Sequence, residues 1–253
     1  MKKVLIASIL GLVTTSYAQI NLGKLGKNVM NTVTKAASTP GSSNTTGGGL
    51  GRGLSNSQIA DGLKEALAIG TKNSSESASK TDGFFRNTLI KIPFPKEATA
   101  VESLARQAGL GKTADQFVLS LNRAAESASK EAAPIFLNAI TTMSITDALG
   151  ILNGGQSSAT TYLQTKTNND LKTMFSPIVR KAIEQAYVTK YWNPMVKKYN
   201  KLPMVQTINP DLEDYVTTKA LEGLFKLVSQ EETKIRTNPA ARVSDILKTV
   251  FGG

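Results

Sequence analysis

"NPDLEDYVTTKALEGLFKLVSQEETKIR" (209–236) is the stretch that decides the fold. Leu212, Tyr215, Val216, Leu221, Leu224, Phe225, Val228 and Ile235 recur at the spacing of one face of an α-helix. Asn209-Pro210 supplies a start signal, and Asp211, Glu213 and Asp214 crowd the end where the helix dipole favours negative charge. A long amphipathic helix needs other apolar faces to cover its own.

Those faces recur on both sides of it. Upstream, Ser55, Asn56 or Ser57 can cap a helix carrying Ile59, Leu63 and Leu67, which weakens at Gly70 and the polar "TKNSSESASK" (71–80). "PKEATAVESLARQAG" (95–109) opens with proline and closes with glycine. A helix from about Thr113 carries Phe117, Leu121, Ala124 and Ala128, and Pro134 should kink or divide it. "ITDALGILNGG" (145–155) reads as a short helix, and "SATTYLQTKTNNDLKTMF" (158–175) as the next, with a break expected near Asn168–Asn169. Pro177 begins or kinks a helix running to Tyr187 or Tyr199, and Asn238-Pro239 starts a last one ending at Phe251. Only "TLIKIPF" (88–94) and "MVQTI" (204–208) depart from the pattern; they could pair as a two-stranded ribbon or lie as extended loops. The expected fold is all-α: one multi-helix domain over 55–253, with at most a minor ribbon.

The residues before that domain read differently. Lys2 and Lys3, the apolar "VLIASILGLV" (4–13) and the small residues of "SYA" (16–18) have the three-part pattern of a secretory leader over 1–18, exported through the Sec pathway. "NLGKLGKNVMNTVTKAA" lies within a short amphipathic arm over 19–37, and residues 38–54 form a Gly/Ser/Thr-rich linker. No cysteine follows the expected cut, so no lipid anchor is expected, and no later stretch approaches a membrane span. The expected location is the periplasm or the cell exterior.

The chain has no histidine and no cysteine. This removes disulfides, thiolate nucleophiles, Cys/His zinc sites and every triad built on imidazole. Any catalysis would rest on carboxylates, lysine, tyrosine or hydroxyls. A formal net charge of +11 attracts anions. With export expected, the partner is an anionic envelope ligand or an envelope protein rather than a nucleic acid. No cofactor and no metal is expected.

Several strings, "DGFFRN", "IKIPFP", "GLGKTADQF", "NRAAE", "GGQSSATTYL" and "IRTNPAAR" among them, stand here in one order. Together they resemble a family of exported bacterial proteins catalogued as domain of unknown function 4197, over about 55–253. The resemblance implies a compact, mostly helical exported unit and carries no catalytic roles with it.

Four clusters hold chemistry. In "SLNRAAESASKEA" (120–132), Asn122 and Glu126 share a helix face, Arg123 and Glu126 can pair, and the alanines let a neighbouring helix approach. The row can tie adjacent loops, form weak surface ion pairs, or bind a ligand. In "NGGQSSATTY" (153–162), Gly154 and Gly155 lead into a helix start with Ser158, Thr160 and Thr161. Such a start is an anion cradle or ordinary punctuation between helices. "YVTKYWNPMVKKYNK" (187–201) interleaves aromatic rings with lysines, as sugars, lipid head groups or polyanions would require, or as a core helix with snorkelling lysines would show. "NPDLEDY" (209–215), with Glu231, Glu232 and Arg236, clusters charge at a helix start. The carboxylates available to a hydrolase are Glu126 with Asp147 or Asp214. The function expected is a non-catalytic envelope protein binding an anionic ligand or partner; an assembly factor and a carboxylate-based hydrolase are the alternatives.

Overall fold

A computed structural model describes residues 54–251, all within one packed unit. The expected leader (1–18), arm (19–37) and linker (38–54) lie outside the described residues, Leu54 excepted. The described residues contain nine α-helices and two 3-10 turns joined by turns and loops, with no strand among them, so the fold is all-α.

Helix α1 (Asn56–Ser79) starts at a capping box. The Ser55 hydroxyl accepts the Gln58 N–H while the Gln58 side chain takes the Ser55 N–H. It does not fade after Gly70. Thr71, Ser74 and Ser75 are buried, and each hydroxyl donates to the carbonyl four residues earlier. Small side chains with internally satisfied polar groups let this "polar" end pack as core.

A 3-10 turn (Lys96–Ala98) leads into α2 (Thr99–Gln107), which closes at Gly109 with φ +78°. Helix α3 (Gly111–Ser129) carries the "NRAAE" row and ends before Pro134, which sits in the first turn of α4 (Ala132–Thr141), where proline is tolerated. Helix α5 (Ile145–Leu152) has its own capping box from Ser144 and Asp147. Helix α6 (Ser158–Gln185) runs through Asn168–Asn169 unbroken, with Pro177 inside it. Tyr187, in left-handed conformation at φ 54°, separates it from α7 (Val188–Tyr199). Helix α8 (Leu212–Thr237) is capped by Asp211, whose carboxylate accepts the Asp214 N–H, and not by Asn209. A second 3-10 turn (Pro239–Ala241), capped by Asn238, precedes α9 (Asp245–Phe251).

Helix α8 packs along α6 and α1; α3 packs against α6, α7 and α8. The stripe read from the sequence is core: Val216, Leu221, Leu224, Phe225, Val228 and Ile235 are buried. Trp192 stacks obliquely on Phe117 at 5.1 Å between centroids, and Phe94 completes the cluster at 4.8 Å from Phe117. Of the rings in 187–201, Trp192 is buried, Tyr191 and Tyr199 are half-buried against the core, and Tyr187 is exposed. No single described helix is long and apolar enough to cross a membrane. The bent pair α4–α5 passes that test jointly, at 106°, and its residues Phe136, Ile140, Ala148, Ile151 and Leu152 are buried in the core.

The ribbon does not form. Instead each of its two segments is held by an asparagine acting as a strand mate. Asn122 accepts the Ile92 N–H at 2.9 Å and donates to the Ile92 carbonyl at 2.8 Å. Asn200 accepts the Ile208 N–H at 3.1 Å and donates to its carbonyl at 3.2 Å. With both backbone groups satisfied by a side-chain amide, neither segment needs a ladder.

Gly223 on α8 is where this packing is tightest. An added Cβ would sit 2.8 Å from the buried Phe84 ring and 3.2 Å from Ile90 Cβ. Gly223→Ala gains about 1 kcal/mol of helix propensity but incurs about 1–3 kcal/mol of overpacking, so a net loss of stability is expected. Gly150→Ala on α5, with nothing within 4 Å, should gain up to about 1 kcal/mol. Urea unfolding of both variants checks the opposite signs.

Candidate functional site

The "NRAAE" row faces protein. Asn122 is fully buried; besides gripping Ile92 it donates to the Val118 carbonyl at 2.8 Å. Glu126 is 4% exposed, and its Oε1 accepts the backbone N–H groups of Phe84 and Phe85 at 3.1 and 3.2 Å. Its Oε2 accepts from Arg123 Nη1 at 2.6 Å, and Arg123 Nη2 reaches Asp82 at 2.7 Å. Asp82 itself lies in left-handed conformation at φ 66° and also accepts from Arg86 at 3.0 Å. Asn122, Arg123 and Glu126 therefore pin the 80–92 segment onto α3 at two places. The acids beside Arg123 raise its pKa, the Glu126 hydrogen bond most of all.

The glycine turn is also internally occupied. The backbone N–H groups of Ala159 and Thr160, with the Thr160 hydroxyl, converge on one carboxylate, that of Glu232 on α8, at 2.8–3.0 Å. Arg236, one turn on, pairs with Glu232 at 3.0 Å. It also donates to the Ile151 carbonyl at the end of α5 and to the Ser158 hydroxyl, both at 2.9 Å. One i,i+4 ion pair so neutralises the N-terminus of α6 and the C-terminus of α5 together. Gly154, Gly155 and Thr161 stand exposed around this pair, and Ser158 is half-buried. The turn is an anion cradle, and its anion is Glu232.

Glu126, Asp147 and Asp214 belong to three separate hydrogen-bond sets. Asp147 caps α5 and accepts from Ser144 and Tyr162; the Ser144 hydroxyl, foremost, holds its carboxyl below the usual range. Asp214 pairs with Lys172 at 2.6 Å. No group of His, Cys, Asp or Glu suited to a metal exists among the described residues.

Three concavities adjoin this framework. A slot beside Glu232 and Arg236, lined by Leu63, Leu67, Val228, Ile235 and Phe251, has room for about one water molecule. A groove of about 250 Å³ lies between α4 and α6 near Tyr162 and Lys166. The largest of the three, an open groove of about 440 Å³, lies between the 88–97 segment and α8. Four lysines line it: Lys91 and Lys96 from the segment, Lys219 and Lys226 from the helix. Glu97 and Glu222 are the acids; Glu222 is paired with Lys219 at 2.7 Å. Tyr215 forms part of the wall, its hydroxyl donating to the Pro93 carbonyl at 3.0 Å, and Lys226 reaches the Leu89 carbonyl. Burial foremost, with Glu97 and Glu222 nearby, pushes the Tyr215 pKa up to about 12.

In the sequence Tyr215 reads as part of the apolar stripe, and none of the four lysines reads as part of a site, although a signal exists. Lys219, Glu222 and Lys226 recur at helical period along the polar flank of the stripe, in line with Tyr215 at its edge. What the sequence lacks is the statement that "IKIPFPK" folds over that flank.

The family model described as "Protein of unknown function (DUF4197)" matches residues 53–252, and the chain belongs to that family. No curated protein and no solved structure matches the chain.

Proposed function

We propose that this family member is a non-catalytic exported protein of the cell envelope that holds an anionic ligand in the groove between the 88–97 segment and α8. The observation that carries the reading is the convergence of Lys91, Lys96, Lys219 and Lys226, from two chain segments, on one open groove. The +11 formal charge draws anions toward the molecule, and the tethers from Tyr215 and Lys226 keep the two walls together before a ligand arrives. Of the carboxylates a hydrolase could use, Glu126 already accepts two backbone N–H groups and a guanidinium, which leaves it ill placed to take a substrate proton.

Inorganic tripolyphosphate is a suitable probe. Calorimetry at low salt should show binding that weakens as ionic strength rises. The Lys91→Glu/Lys226→Glu variant should bind about thirtyfold more weakly, since each reversal removes roughly 1 kcal/mol of attraction. Equal affinity in the variant would move the site elsewhere. No binding of tripolyphosphate, or of a polyanionic glycan tested alongside it, would remove the anionic-ligand reading.

A further inference from the structure

The loop after α7 has a construction that anion binding in the groove does not use. Asn200 clamps Ile208 through both backbone groups and so closes residues 200–208 into a compact loop. At its tip Leu202 is 42% exposed and Met204 fully exposed, with Met204 in left-handed conformation at φ 62°. Pro203 stands between them, also exposed. Both apolar side chains are held out in water although the same loop buries part of Val205 and Ile208. Below the tip come Lys197, Lys198 and Lys201, and Lys190 lies further back on α7, all exposed. None of these four lysines joins an ion pair among the described residues. Between Glu184 and Asp211 the chain carries no acidic residue.

We propose that the 200–208 loop is a wedge that seats this protein on an anionic lipid surface, with Leu202 and Met204 entering the acyl boundary and Lys197, Lys198 and Lys201 meeting the head groups. The order of chemistry along the loop matches the order across a bilayer leaflet: an apolar tip, then cations at the level of the phosphates. An unbranched methionine and a leucine suit a fluid apolar medium that offers no shaped pocket. The Asn200 clamp fixes the tip's projection beforehand, so little ordering remains to be done at the surface.

The chain has no cysteine, so a single introduced thiol reports one place. Met204→Cys carrying an environment-sensitive fluorophore should shift to the blue with vesicles containing phosphatidylglycerol and stay unshifted with phosphatidylcholine alone. The same label at exposed Gln156, at the opposite end of α6 from α7, should stay in water with both and so separates loop insertion from adsorption through any other part of the chain. Changing Lys197, Lys198 and Lys201 together to Gln should weaken vesicle binding about a hundredfold, since each lysine near an anionic surface contributes about 1 kcal/mol, or roughly fivefold. These are surface substitutions, and an unchanged unfolding midpoint confirms the fold in each variant. A label at 204 that stays in water with anionic vesicles overturns the proposal. So does an equal shift with neutral vesicles, and so does unchanged affinity in the triple variant. Tripolyphosphate binding is read separately, because none of these three lysines lines the groove.

Discussion

Glu126→Ala is expected to lower the unfolding free energy by about 3–5 kcal/mol, the sum of two unsatisfied backbone donors at roughly 1–3 kcal/mol each and a weakened hold on a part-exposed guanidinium. The change strands two backbone N–H groups, of Phe84 and Phe85, and leaves Arg123 with only Asp82. No ordinary surface substitution approaches this loss. A lower urea midpoint with an unchanged slope would show it. Glu126→Gln separates charge from shape. Its carbonyl oxygen can still accept the two N–H groups, but its amide nitrogen faces the Arg123 guanidinium without an acceptor between them, so a smaller loss of about 1–3 kcal/mol is expected. If both variants unfold like the parent, Glu126 does not pin the 80–92 segment and the structural account of "NRAAE" fails. The consequence for binding follows from chain continuity. Lys91 rides on the 80–92 segment that Asn122 and Glu126 fasten, and Lys96 follows four residues after its last anchor at Ile92, so the binding proposed for the groove should weaken when residues that do not line it are changed.

What the sequence made legible follows from how local each signal is. The stripe of α8 is a repeated, one-dimensional signal, and it led to the correct class and to the correct buried face. The cap of α1 was legible as one of Ser55, Asn56 and Ser57, of which Ser55 caps, while the helix's far end was not. "TKNSSESAS" looks solvated because composition cannot show that Thr71, Ser74 and Ser75 return their hydroxyls to their own helix beneath α8. The ribbon failed on a related point. Ile-rich "TLIKIPF" signals an extended backbone, which it has, but the partner that satisfies it is Asn122, a single side chain from thirty residues away. "NRAAE" and the glycine turn were both legible as places where polar groups converge. Their occupants were not, since Glu126 meets Phe84 and Glu232 meets Ala159 only through tertiary packing. The lysine groove lay furthest from view, because half of it comes from each of two segments more than a hundred residues apart.

Glu232→Ala carries the second large effect, again about 3–5 kcal/mol, and tests a different claim. The carboxylate sits at the start of α6 with three donors on it, and Arg236 sits beneath with its side chain 11% exposed. Removing the acid orphans the first N–H groups of α6 and leaves a nearly buried guanidinium whose remaining acceptors are the Ile151 and Leu152 carbonyls and the Ser158 hydroxyl. Arg236→Ala should cost less, about 2–3 kcal/mol, because Glu232 keeps its backbone donors and the favourable end of a helix dipole. The two changes share partners, so their double variant should show a coupling of about 1–3 kcal/mol in a thermodynamic cycle. The decisive comparison is Glu232→Leu/Arg236→Leu. An isolated buried ion pair can often be exchanged for apolar residues at little cost. Here the exchange should remain destabilising by at least about 2 kcal/mol, because leucine cannot accept the Ala159 and Thr160 N–H groups or donate to the carbonyls that end α5. A double-leucine variant as stable as the parent would mean that the pair is ordinary core filling and that the turn between α5 and α6 satisfies itself in another way.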